Sequence, residues 1–142
     1  MGSPKRSRFR NLLPSLPLGS FSSGPKNSIT DIPDLSASCL NVRNPPDVMT
    51  GVTAILPNPD IFHNPCFAGI FRFNGNGEMT GSHWIHETGL LTSPIMITNS
   101  FSIGAVSEGV LEYIKKGHKP PPPGEEDLLF WGLPVVVYHV AY

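Results

Sequence analysis

Glycine and proline punctuate this chain so closely that its apolar residues can gather only into short strands and one longer helix. "GVTAILP", residues 51–57, is a β-branched run opened by Gly51 and closed by Pro57, which is how a short buried strand is bounded. "CFAGIFRF" (66–73) reads as a second strand, "SPIMIT" starts a third after Pro94, and "LLFWGLPVVVYHVAY" (128–142) reads as a last apolar strand. Apolar strands separated by glycine-bearing turns and helices predict an α/β sheet buried on at least one face. The 14 glycines and 16 prolines among 142 residues stay below the roughly 25–30% at which disorder becomes the default. The chain therefore folds, and its length suits one domain, with about 68–70% of the unfolded surface buried.

The helix is "SIGAVSEGVLEYIKKG" (102–117), where Ile103, Val106, Val110, Leu111 and Ile114 make one apolar stripe for the sheet. Ser100 or Ser102 is placed to cap its start, Glu112 and Lys116 stand four apart, and the lysines sit at the negative end of the dipole. "HKPPPPGEED" (118–127) cannot be helix or sheet, because four successive prolines remove four backbone donors. It is a surface loop, and a proline-rich spacer needs no SH3 or WW partner.

Charge divides the chain. Lys5, Arg6, Arg8, Arg10 and Lys26 all precede the first acid, Asp31, so a net charge of −1 splits into a head of +5 and a remainder of −6. Residues 1–26 read as a flexible basic Pro/Ser-rich arm, since Pro14, Pro17 and Pro25 interrupt the amphipathic helix of a transit peptide. No run approaches the roughly 20 apolar residues of a membrane span, so a cytoplasmic protein with no membrane or nucleic-acid partner is expected. Cys39 and Cys66 lack metal spacing and read as reduced, buried side chains.

The densest polar stretch is "FNGNGEMTGSHWIHETG" (73–89). Asn74-Gly75 and Asn76-Gly77 are turn dipeptides that accept positive φ. Gly75, Gly77 and Gly81 are spaced one residue too long for a dinucleotide fingerprint. His83 and His86, with Glu87 nearby, share a helix face, but "HWIHE" matches no zinc-hydrolase order, so no metal and no cofactor is expected. No serine or cysteine is framed as a nucleophile.

"NSITDIPDL", "GVTAILP", "FAGIFRFNGNGEMTGSHWIHETGLL" and "PIMITNSFSIGAVSEGVLEYI" together resemble the N-terminal half of the L-aminopeptidase/D-esterase (DmpA) family, which includes β-peptidyl aminopeptidases. The likeness covers residues 27–136. It implies a partial αββα sandwich of the N-terminal-nucleophile-hydrolase kind, truncated, from a precursor that cleaves itself. The serine exposed at the start of the second subunit would be the nucleophile, with its own amine as base. The partners implied are that second subunit, a peptide or amino-acid amide substrate, and further copies in an oligomer. The resemblance places Asn76, Glu78, Asn99 and Ser100 on the rim of the substrate pocket, near a strand end where α/β sheets collect ligand groups. The other reading of Glu78 and Asn99 is that they only cap backbone groups.

The chain departs from the family after "LPVV". Members continue with a Glu-Thr-Tyr-Asp-Gly type segment, whose Glu and Tyr hold the substrate amine and the oxyanion, whereas Val137 to Tyr142 read "VYHVAY". Residues 137–142 are thus a divergent end, and no catalytic residue is expected within this chain. An inactive N-terminal fragment of a self-processing serine aminopeptidase is one expectation. A non-catalytic interaction or structural module that keeps the fold is the other.

Overall fold

The computed structural model describes residues 7, 9–16, 19–117 and 136–140. The proline-rich loop 118–127 and all of "LLFWGLP" (128–134) fall outside them. In the arm, Phe9–Leu12 forms one helical turn (α1), and the described side chains from Ser7 to Ile29 are exposed. Ser28 and Asp31 exchange side-chain-to-backbone bonds around a 3-10 turn at Ile29–Asp31. The Asp31 carboxylate also accepts from the Lys26 N–H at 3.0 Å.

The frame is a five-stranded mixed sheet. β1 (Ser36–Asn44) and β2 (Val48–Leu56) pair antiparallel, with Asn41 opposite Gly51 and Arg43 opposite Met49. β2 pairs antiparallel with β6 (Ile95–Asn99), β6 pairs parallel with β7 (Val136–Val140), and β7 pairs antiparallel with β4 (Gly77–Met79), giving the order β1-β2-β6-β7-β4. Parallel neighbours need a crossover between them. It is built on the helix α3 (Ile103–Gly117), which packs on β6 and β7. Val110 and Ile114 of the stripe are buried and Ile103 and Val106 half-buried, while Leu111 is 44% exposed because α3 covers only this half of the sheet.

β7 is an interior strand, and its first amides lie where water cannot reach them. Val136 and Val137 are 1% and 0% exposed. Buried donors require partners. The Val136 N–H donates to Ser93 Oγ at 3.3 Å and the Val137 N–H to Thr80 Oγ1 at 2.9 Å, while Thr80 N–H returns a bond to the Val137 carbonyl at 3.0 Å. Thr80 and Ser93 thus fix where β7 enters the sheet.

Two expectations are corrected. In "CFAGIFRF" only β3 (Cys66–Phe67) is a strand, paired with β5 (Leu90–Leu91) in a separate ladder. Ala68 and Ile70 turn inward to the cluster of Ile85, Leu91 and Val136, while Phe67, Phe71 and Phe73 are 95%, 86% and 87% exposed. The run alternates as a strand does but, among the described residues, has no ladder partner beyond β5. Cys39 is exposed rather than buried, on an edge strand all of whose residues are exposed, and its Sγ lies 3.2 Å from Thr53 Oγ1. Cys66 is half-buried and accepts from Asn58 Nδ2 at 3.3 Å.

Candidate active site

The Asn/Gly stretch builds one end of the sheet. Asn74 Oδ1 accepts from the Asn76 N–H at 2.9 Å, an Asx turn that delivers the chain into β4. Positive φ falls later than the dipeptides suggest: Gly81 (φ 71°) and Gly89 (φ 69°) take it, at the two ends of α2 (Ser82–Thr88). Ile85 anchors α2 in the core, leaving His83, His86 and Glu87 exposed. Among the described residues no three His, Cys, Asp or Glu side chains lie close enough together to hold a metal ion.

Register brings three of the four residues expected on the rim to that end. Gly77 of β4 and Asn99 of β6 flank the same residue, Val140. Asn76–Gly77 and Asn99–Ser100 therefore lie two strand spacings apart, about 10 Å, where β6 and β7 finish. Glu78 does not join them on the same face. It pairs with His139, which pairs with Thr98, so alternation sends Glu78 and Thr98 to the side covered by α3 and sends Asn99 to the other.

Asn99 holds three hydrogen bonds. Its Oδ1 accepts from the N–H groups of Phe101 and Ser102 at 2.9 and 3.1 Å, capping the 3-10 turn Ser100–Ser102 that leads into α3. Its Nδ2 donates to Thr50 Oγ1 at 2.6 Å. The cap is thus Asn99, not Ser100 or Ser102, because the helix opens through a 3-10 turn that begins at Ser100, three residues before the first residue of the stripe, Ile103. Asn99→Ala is expected to cost about 1–2 kcal/mol, with Asn99→Asp recovering the cap. Denaturant melts of both variants check this, and an Ala variant as stable as the parent would remove the cap as the support of this end.

Beside Asn99 runs a groove of about 340 Å³ across β6, β2 and β1, whose lining includes Thr50, Gly51, Asn41 and Arg43. Gly51 lets β1 lie this close to β2, since a Cβ there would stand 2.6 Å from the Leu40 carbonyl oxygen. Thr98 Oγ1 donates to the Gly51 carbonyl at 3.4 Å. Sequence reasoning missed Asn41, Arg43 and Thr50. The signal lies in the hairpin "NVRNPPDVMTG", whose pairing across the two prolines sets Arg43 and Asn41 beside Met49 and Gly51.

Comparison with known proteins gives concordant matches. The model of peptidase family S58 matches residues 27–139. A β-peptidyl aminopeptidase (BapA) from Sphingosinicella microcystinivorans is 35% identical over 99 residues, 64% of this chain and 25% of that protein. Among solved structures, a Burkholderia sp. β-aminopeptidase superposes with a TM-score of 0.70 at 34% identity, over 96% of this chain and 36% of that one. The L-aminopeptidase D-Ala-esterase/amidase of Ochrobactrum anthropi, described as a prototype for the serine aminopeptidases and a variant of the Ntn hydrolase fold, superposes with 0.71 at 30% identity, over 88% and 36%. The chain spans 25–29% of the length of the curated relatives it matches.

Proposed function

The chain belongs to peptidase family S58, and from that membership we propose that residues 27–136 are the N-terminal, α-subunit-like part of a self-processing serine aminopeptidase or amidase that releases N-terminal residues from peptides or amides. The carrying observation is the match over residues 27–139 by a chain that spans only about a third of the superposed enzymes. The acyl-transfer step belongs to a serine at the head of a second subunit, whose free amine takes the hydroxyl proton as the oxygen attacks the scissile carbonyl. This chain supplies the frame and part of the rim, with Asn76, Asn99 and Ser100 at one sheet end and Glu78 on the α3 face. Assembly with that subunit, oligomerisation and a cytoplasmic location complete the reading.

The chain alone is expected to show no hydrolysis of L-amino-acid p-nitroanilides, and turnover is expected when it is co-expressed with a family second subunit. Turnover by the chain alone, lost in Ser82→Ala, would overturn the assignment.

A further inference from the structure

We propose that the groove between Asn99 and Arg43 is a subsite for the free C-terminal carboxylate of a di- or tripeptide, with Arg43 as its partner. The inference rests on the active-site reading above and adds the substrate class. It starts from where the groove lies. The β6–β7–β4 half of this sheet face is covered by the cluster around Ile85, Leu91 and Val136, whereas over β1 and β2 the face is open, with Asn41 and Arg43 exposed.

Register then fixes its length. Thr53 pairs with Ile97, and two residues further on Gly51 comes level with Asn99. Gly51 in turn pairs with Asn41, and Arg43 stands two residues along β1. Two strand spacings sideways and two residues along the strand amount to about 12 Å between the Cα atoms of Asn99 and Arg43. An extended tripeptide spans roughly 10 Å, and an arginine side chain covers the remainder. Longer peptides would carry their carboxylate past Arg43.

The lining selects the charge. Among the described residues, Arg43 is the one charged residue on the lining, which includes no carboxylate. Asn41, level with Gly51 and on the same face as Arg43, adds an amide whose N–H groups can donate to a peptide carbonyl on the path from Asn99 to Arg43. A guanidinium at the far end matches a carboxylate with two parallel bonds. An aminopeptidase acting on such a substrate would hold the leaving portion by this tail.

Equilibrium dialysis of the full chain against labelled L-alanylglycylglycine and its C-terminal amide tests the proposal. The acid is expected to bind about tenfold more tightly than the amide. Arg43→Gln should erase that difference, and Asn41→Ala should weaken both ligands. Acid and amide binding alike, both weakened by Asn41→Ala, would overturn the carboxylate subsite and leave the active-site reading standing. Binding of neither ligand would overturn the subsite, while turnover by the co-expressed pair decides the active-site reading separately.

Discussion

Replacing Val137 by aspartate is expected to leave the chain without a cooperative fold. Val137 is 0% exposed in the middle of the sheet, paired with Met96 on β6, with its backbone N–H and carbonyl both held by Thr80. On this face the sheet is covered by α3, so a carboxylate there would be ionised without a partner and out of water. An unpaired buried charge costs several kcal/mol, against a total domain stability of about 5–15 kcal/mol. The conservative comparison is Val137→Thr, which keeps the shape and buries one hydroxyl, at a cost of about 1–3 kcal/mol. Far-UV circular dichroism and urea unfolding separate the two. An aspartate variant that melts within about 1 kcal/mol of the parent would show that β7 is dispensable to the sheet, and with it the way Asn76 and Asn99 are brought to one end.

What the sequence discloses follows the hydrophobic contrast along it. The α3 stripe is legible because one side of the helix is apolar and the other is not, and Val110 and Ile114 are buried as the spacing requires, while β6 is legible as a short apolar run opened by Pro94. β1 carries no such contrast: its nine residues are all exposed, so "SASCLNVRN" has nothing to alternate against. β7 is legible as a strand but not as an interior one, since its parallel pairing with β6 depends on the crossover through α3, a long-range fact. The same limit divides the candidate site. Asn99 and Ser100 can be placed from their position at a strand end, and the resemblance to the family points to them and to Asn76. That Glu78 leaves by the opposite face appears only with the β4–β7–β6 register, and that Arg43 and Thr50 share a groove with Asn99 appears only with the β1–β2–β6 register.

The isolated chain is expected to self-associate, and the structure locates where. On the α3 side, the half of the sheet that the helix leaves bare forms an apolar groove of about 490 Å³, floored by Ala54, Leu56 and Met96 and walled by Val106, Val110 and Tyr113. Beside it β1 is a nine-residue edge strand with no proline and no acid, and with Leu40 and Val42 65% and 48% exposed. Natural sheet edges are commonly blunted by charge, proline or a bulge. This one carries a single arginine. An open apolar surface next to an unprotected edge draws other chains to it, and in the proposed enzyme the second subunit supplies the missing cover. Sedimentation velocity should therefore show oligomers or aggregates of the chain alone, shifting to a defined soluble complex on co-expression with a family second subunit, with Leu40→Lys reducing the association of the chain alone. A monomer with a cooperative melt would mean that residues 27–140 satisfy their own core, and the weight would pass from part of an enzyme to an independent module.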